Sequence, residues 1–381
     1  MRGIGVVVAV LLAAAPQARA QSASAESWGS GSAALGVGMF GDKPATTLDL
    51  GIDLETGELA VGVGGRVRWL AGDGVREEDW DEASEIATAI RYLTYRRAAD
   101  GGWPGFAVAA GALADVRLGH GSLVSGYTSG LDVDRGHLGI QSRAAGDRYG
   151  VDAMLDDVVS PRIAAARGRV FSEDGASFGI TVAGDLELGT PMIGVDAAWA
   201  ARYVTPYLDL ALIDTSAFGI HAGLAVDAEG GGARWLGSLE ARAGGGGYIP
   251  GWLGPLYEIE RETLADEIRM SDLGGIGGFV ELGVDIPEVG RLTSSYSQRP
   301  GLADQVTVRA AAPHFRRAQL AVWAAADADK RGDRALAAEL RLELPHRLFA
   351  AADAARLYRS VDGEFEPLWV ATVAFGSALG F

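Results

Sequence analysis

The sequence predicts an all-β protein: a single transmembrane antiparallel β-barrel of about 18 strands, with 16 and 20 strands as open alternatives. Three observations predict this fold. The chain begins with an export-type segment, short segments of alternating apolar and polar residues follow one another to the end, and the last residue is aromatic. The predicted domains are a signal peptide at 1–20 and one barrel domain at 21–381.

Composition narrows the classes of protein before any motif is considered. The 381 residues include 55 glycines and no cysteine, and the formal net charge is −17. The absence of cysteine excludes disulfides, thiolate metal sites, cysteine nucleophiles and a lipidated cysteine. The excess of acidic residues argues against a nucleic-acid partner, because a protein needs a surplus of Lys and Arg to bind a phosphate backbone.

The N-terminal segment is typical of a signal peptide. Arg2 precedes an apolar stretch at 4–15, and Ala18-Arg19-Ala20 forms a small-x-small cleavage site. The apolar stretch is too short for a transmembrane helix, which needs roughly 20 residues. We expect cleavage before Gln21, with an uncleaved anchor as the alternative. Since no other segment has about 18 uninterrupted apolar residues, the rest of the chain can cross a membrane only as strands.

The strand prediction depends on alternation with a period of two residues. At 48–54, Leu and Ile alternate with Asp and Gly, and at 61–69 the valines and Trp69 alternate with glycines and arginines. The predicted segments are 33–41, 48–54, 61–69, 85–96, 104–117, 135–143, 148–156, 162–171, 176–187, 192–203, 205–213, 217–227, 233–243, 275–285, 303–312, 317–327, 340–344, 347–357 and 368–381. These are 19 segments, which is an odd number, whereas a barrel with both termini on one side has an even number of strands. Either 33–41 therefore lies outside the wall, or residues 121–131 supply another strand.

The C-terminal strand carries a family resemblance. Every second residue back from the end is apolar or small, and the aromatic and large apolar positions are Trp369, Val373, Phe375, Leu379 and Phe381. This strand resembles the terminal strand of bacterial, Gram-negative outer-membrane β-barrel proteins of the porin-like class, without pointing to a narrower family. The resemblance implies an outer-membrane location, contact with outer-membrane lipid, and recognition of these residues by the barrel-assembly machinery.

Charged residues on the face opposite the apolar one are the first candidate functional residues. Ions are tolerated in a barrel interior only where they are wet or paired. A barrel of about 18 strands has a lumen too wide for side chains alone to fill. The sequence therefore favours a porin-like channel for diffusion of small hydrophilic solutes or ions, with a non-conducting structural barrel whose lumen is plugged as the alternative. The pore-lining candidates are Arg66, Arg68, Arg91, Asp115, Arg117, Asp152, Arg167, Arg169, Asp185, Asp196, Arg202, Asp227, Glu240, Arg242, Glu281, Arg309, Glu339 and Arg341. The same face also carries the acids Asp49, Asp53, Asp156, Asp209, Asp285 and Glu343. With these included, inward acids exceed inward bases by 14 to 10, and we expect a weak preference for cations.

The longest stretch without alternation is 244–275. Its aromatic residues and prolines argue against disorder, and residues 260–270 can form a short helix. One interpretation is a loop folded into the barrel that narrows it, with Tyr248, Trp252 and Tyr257 as contacts. The other is a lid packed on an external rim.

Two further motifs are weaker. The acidic run at 77–82, extended by Asp73 and Glu85, can hold a hard divalent cation, but it lacks the glycine and ligand spacing of an EF-hand and is better explained as solvated surface. His120-Gly121-Ser122 brings together the residue types of a lipid-acting enzyme on the barrel rim, which needs a Ser–His distance of about 3 Å. No catalytic residue, metal ligand or cofactor site is predicted.

Overall fold

The structure is a computed structural model that describes residues 28–100, 104–270, 274–315, 317–328, 333–361 and 364–380. The predicted signal peptide and Phe381 lie outside these ranges. Each strand forms where apolar and polar residues alternate, because the two faces of the wall meet different surroundings. The strands are β1 Trp28–Phe40, β2 Lys43–Thr56, β3 Leu59–Leu70, β4 Gly74–Val75, β5 Ile90–Arg97, β6 Gly105–Gly111, β7 Val116–Arg117, β8 Ser125–Tyr127, β9 Gly139–Ala145, β10 Tyr149–Leu155, β11 Ile163–Phe171, β12 Ala176–Asp185, β13 Thr190–Trp199, β14 Val204–Ile213, β15 Ala217–Gly230, β16 Ala233–Gly245, β17 Gly275–Ile286, β18 Gly290–Ser297, β19 Gln305–Phe315, β20 Ala318–Asp327, β21 Arg334–Glu343, β22 Leu348–Val361 and β23 Glu364–Gly380. The helices are α1 Ala83–Ala87 and α2 Tyr257–Met270.

Twenty of these strands close into one antiparallel barrel, which confirms the predicted fold class. The wall runs β1–β3, β5, β6 and β9–β23, and β23 pairs with β1 along Ser30–Phe40. The short strand β4 extends the edge of β3, and β7 pairs only with β8. The strand number is thus 20, which was one of the alternatives, and not 18.

The odd number of predicted segments has a simple explanation. Segment 33–41 is part of β1 in the wall, and residues 121–131 do not form a wall strand, so both of the suggested corrections were wrong. The missing strand is β18. Its outward positions are Leu292, Ser294 and Tyr296, so its lipid-facing side is only partly apolar and its alternation is weak.

The two ends of the barrel differ. Short turns such as 57–58, 146–148 and 231–232 lie at the end where β1 begins and β23 ends, which we call the terminal end. The long connections 71–89 and 112–138 lie at the opposite end, which we call the loop end. Outer-membrane barrels have this asymmetry, with short turns on the side of the termini.

The outer surface of the wall is apolar. Leu35 and Val37 of β1 are 61% and 64% exposed, and outward-facing apolar side chains continue on the strands around the barrel. Near the terminal end this surface carries exposed Trp199 and Trp235. A barrel presents such a band, with aromatic residues near its edges, to lipid. Neither helix in the described ranges is long and apolar enough to span a membrane.

Candidate functional site

Two connections at the loop end fold into the barrel: inner loop A (112–138) and inner loop B (246–270), which contains α2. The two loops pair with each other through their backbones. The Leu253 N–H donates to the Leu123 carbonyl at 3.0 Å, and Leu253 forms a parallel β-bridge with Val124. They therefore act as one insert.

The insert crosses the lumen between opposite arcs of the wall. One apolar cluster joins Leu123, Tyr127 and Trp252 of the loops to Met154, Ile163 and Ile213 of β10, β11 and β14. A second cluster joins Leu131 and Leu256 of the loops to Phe40, Trp323 and Leu357 of β1, β20 and β22. Because these strands lie on opposite sides of the barrel, the loops must lie between them, inside the wall.

The aromatic residues predicted as constriction contacts belong to this insert. Tyr248, Trp252 and Tyr257 are at most 2% exposed. The structure places them inside the barrel and not on an external rim. The predicted short helix at 260–270 is part of α2, which begins earlier, at Tyr257.

A buried hydrogen-bond network anchors inner loop B to the wall. The Tyr248 hydroxyl lies 2.6 Å from His221 Nε2 and donates to the Ser122 carbonyl of inner loop A at 2.9 Å. His221 Nδ1 lies 3.0 Å from Glu240, which also accepts a hydrogen bond from Tyr207. One tyrosine hydroxyl thus joins both loops to β15 and, through Glu240, to β16.

A second attachment uses charge. Asp185 of β12 accepts a 2.8 Å hydrogen bond from the Tyr257 hydroxyl and is paired with Arg261 of α2. Arg261 also reaches Glu187 at 3.0 Å, in the turn that follows β12. The start of α2 is therefore fixed to the wall on the side opposite β1.

The arc β17–β19 differs from the rest of the inner surface. We call its inward-facing polar side chains the polar wall: Glu281, Asp285, Arg291, Thr293, Ser295, Ser297, Gln305, Thr307 and Arg309. Between the polar wall and the loops is a narrow recess, partly open to solvent, with about 20 Å³ of water-accessible space, into which Arg117, Arg242 and Arg309 project. The recess is therefore a narrow candidate passage on the polar side of the insert.

The recess has both signs of charge. Arg117 of inner loop A forms a bidentate pair with Glu281 at 3.1 and 2.7 Å. Arg309 pairs with Asp115 at 2.5 Å, while its buried Nε and Nη2 atoms make no hydrogen bond. The recess thus carries two arginine–carboxylate pairs, and both of its carboxylates are already paired.

The structure also places the predicted pore-lining residues. Those that face inward from wall strands are Arg66, Arg68, Arg91, Asp152, Arg167, Arg169, Asp185, Asp196, Asp227, Glu240, Arg242, Glu281, Arg309, Glu339 and Arg341. Asp115 and Arg117 face inward from inner loop A and not from the wall. The prediction that Arg202 faces inward from a wall strand was wrong, because β13 ends at Trp199 and Arg202 lies exposed in the following turn.

Away from the recess, many inward charges are paired with each other. Arg167 contacts Asp196 at 2.6 Å, and Arg143 contacts Asp152 at 2.5 Å. Such pairs match the alternative of a structural interior. Sequence reasoning did not single out Ser295, Ser297 or Thr307, whose only signal is a neutral polar residue at alternate positions of β18 and β19.

The acidic run at 77–82 is only partly solvated surface. Asp79 and Glu85 are buried. Asp79 is held by Arg68 at 2.6 Å and by Arg76, so it is neutralised by arginine. The prediction of a solvated surface is therefore wrong for these two residues, because the 71–89 connection folds back onto the inward face of β3 at its loop end.

His120 and Ser122 are not arranged as a base and a nucleophile. The His120 ring stacks on Tyr207 with centroids 3.8 Å apart. The Ser122 hydroxyl is buried and donates to Asp209 of β14. A lipid at the barrel rim has no access to this hydroxyl.

A buried acid, Glu258, joins the two loops. It accepts a 2.9 Å hydrogen bond from the Leu131 N–H, and its other oxygen lies 3.4 Å from the Tyr127 hydroxyl and 3.3 Å from His137 Nε2. Burial raises the pKa of Glu258 to about 7 and lowers the pKa of His137 to about 4. Both groups are thus held in their neutral forms near pH 6.

We expect the packing of the loops to weaken as the pH rises from 6 to 8. The pKa of Glu258 is higher in the folded protein than in the free side chain, so its stabilisation is fully present below about pH 4.5 and is lost as the pH rises to about 7, by up to about 3 kcal/mol in total. About 1.4 kcal/mol of this loss falls between pH 6 and 8. Hydrogen exchange of the amides in 112–138 measures this. The protection factor, which is corrected for the intrinsic rise of the exchange rate with pH, should fall between pH 6 and 8 in the wild type and stay constant in Glu258→Gln. An equal fall in that variant would contradict the assignment. His137 acts in the opposite sense, with stability lost as the pH falls from about 6.5 towards 4.

Comparisons with known proteins find similar folds only. No family model and no curated protein matches the chain. Crystal structures similar to it include OpdL of Pseudomonas aeruginosa (11% identity, 93% of this chain and 98% of that chain, TM-score 0.40). They also include a BenF-like porin from Pseudomonas fluorescens Pf-5 (10%, 93% and 98%, 0.40) and OccAB3 of Acinetobacter baumannii (8%, 93% and 99%, 0.33). At these identities and TM-scores the likeness does not extend to substrate or mechanism.

Proposed function

We propose that the protein is a porin-like channel of the bacterial outer membrane, through which small hydrophilic solutes or ions diffuse along the polar wall. The exposed apolar band and the short turns at the terminal end support the location. The outward face of β23 supports insertion by the barrel-assembly machinery, because the apolar residues of the C-terminal strand are exposed there: Trp369, Val373, Phe375 and Leu379.

The observation that carries the proposal is the asymmetry of the lumen. The inner loops pack apolar side chains against β10–β15 on one side and against β20–β3 on the other. The β17–β19 arc instead faces them mainly with charged and hydroxylated side chains, with a recess in between. Pores of this kind select solutes through the charges and hydrogen-bond donors of their lining.

Single-channel recording tests conduction directly. The folded, heat-modifiable protein is added to a planar bilayer under a salt gradient. Stable current steps establish a pore. A folded barrel that stays silent would favour the alternative, a structural barrel with a plugged lumen, for which the many paired inward charges are the supporting observation.

We expect charge selectivity to respond to single residues of the recess. Glu281→Gln frees the Arg117 guanidinium from its bidentate partner and should shift the reversal potential towards anions. Arg309→Gln should shift it towards cations, because it leaves Asp115 without its cation. The weak cation preference proposed for the wild type is measured in the same experiment. Glu173→Gln, in an exposed turn at the terminal end, is the control and should leave the reversal potential unchanged.

A further inference from the structure

Two aspartates face each other on neighbouring strands inside the barrel. Asp196 of β13 and Asp209 of β14 are directly opposite in the register, and they are 8% and 2% exposed. Like charges at opposite positions of a sheet destabilise the pair. His120 of inner loop A lies against both, so that one ligand atom from each of the three residues lies within 4.8 Å of the other two.

The surroundings neutralise only part of this charge. Arg167 pairs with Asp196 through contacts of 2.6 and 3.2 Å. Asp209 accepts a hydrogen bond from Ser122, but its Oδ1 is buried and has no hydrogen-bond partner among the described residues. A buried carboxylate oxygen left without a partner costs a large part of its hydration free energy. The arrangement therefore suits a cation between the two carboxylates and the histidine.

We propose that His120, Asp196 and Asp209 bind a divalent first-row transition-metal ion such as Zn²⁺. Three atoms within 4.8 Å of one another lie no more than about 2.8 Å from a common centre, and shifts of about 0.7 Å bring them to zinc-ligand distances. A nitrogen ligand beside two carboxylates suits such ions. Ca²⁺ and Mg²⁺ prefer oxygen ligands alone.

Each proposed ligand is already held by a neighbour. The Tyr207 ring stacks on His120 with an interplanar angle of 4°, Arg167 orients Asp196, and Ser122 orients Asp209. Metal sites commonly have such orienting partners, which position the ligand atoms before the ion arrives. The three side chains are therefore positioned before binding.

The ligands come from different parts of the fold, and this gives the site a consequence. His120 belongs to inner loop A, whereas both aspartates belong to the wall. A bound ion therefore attaches inner loop A to β13 and β14 beside the hydrogen bond from Tyr248 to Ser122. Metal binding should make the insert more resistant to unfolding, because an ion that binds only the folded state stabilises it.

Zinc binding by the full-length barrel tests the site, with the protein purified in detergent without a polyhistidine tag. Equilibrium dialysis against Zn²⁺ should give one high-affinity ion per chain. Replacing Zn²⁺ with Co²⁺ should give a visible absorption band of low coordination number. Asp209→Asn and His120→Gln should each weaken binding by about 10-fold or more, while Glu173→Gln in an exposed turn should bind as the wild type does.

His120→Gln leaves the wall intact, and its folding is checked by heat-modifiable mobility, so a loss of binding in this variant cannot be ascribed to misfolding. The site is overturned if the wild type binds no more zinc than Asp209→Asn does. It is also overturned if Asp209→Asn stabilises the barrel in metal-free buffer while the wild type gains nothing from zinc, since a shared proton then neutralises the aspartates. Neither readout depends on conduction.

Discussion

A variant in which residues 248–270 are replaced by a short Gly-Ser turn should conduct at least about three times as much current per channel as the wild type. The reason is that inner loop B supplies one half of the insert and the contacts that hold the other half in place, including the backbone pairing with Leu123. The barrel should survive the change, because Gly244 and Gly275 are paired neighbours in the wall and a short turn can rejoin them.

Two comparisons make the result specific. Inserting two residues between Gly231 and Gly232, in an exposed turn at the terminal end, should leave the conductance unchanged. Tyr248→Phe removes the hydroxyl that bridges His221 and Ser122, and it should increase current noise with a smaller change in mean conductance. If the loop replacement folds and conducts as the wild type does, the passage does not run beside inner loop B.

Gly38→Val should prevent closure of the barrel. Gly38 lies on β1 in the seam with β23, and a Cβ atom there would lie 1.8 Å from the carbonyl oxygen of Ala371. Since the obstruction is backbone and not a movable side chain, the seam has to open, and we expect a loss of more than about 4 kcal/mol in the free energy of unfolding. The measurement is the fraction of protein with heat-modifiable mobility after refolding.

The matched control lies on the same strand. A Cβ atom at Gly31 would meet nothing within 4 Å, although Gly31 pairs with Leu379 across the same seam. Gly31→Ala should therefore refold as the wild type does. A Gly38→Val barrel that closes normally would show that the seam can shift its register locally.

The wall could be predicted because its constraint acts on each residue separately. A side chain on the outer face must be apolar whatever its neighbours are, so alternation is visible in the sequence alone. The prediction failed at β18, where Ser294 stands between Leu292 and Tyr296 on the outer face. It also failed at Arg202, where the alternation continued past the true end of β13.

The interior could not be predicted in the same way, because its constraints join distant residues. Arg117 and Glu281 are 164 positions apart, and nothing near either residue identifies its partner. The predicted segment 104–117 runs into inner loop A, because the wall strand β6 ends at Gly111. The apolar side chain of Val116 is buried against the inner surface of the wall and not against lipid. Counting inward acids and bases likewise could not show which of them would be paired.

The contacts inside the lumen join residues that are far apart in the sequence, and this limits the order in which the parts of the barrel can pack during assembly. Leu131 of inner loop A is buried against Trp323 and Leu357, which belong to β20 and β22 near the end of the chain. Its final packing therefore cannot precede the docking of the last strands. We therefore expect the segment around Leu131 to become protected from proteases only after β20 and β22 have docked, later than the segment around Leu123, which packs against β10 and β11.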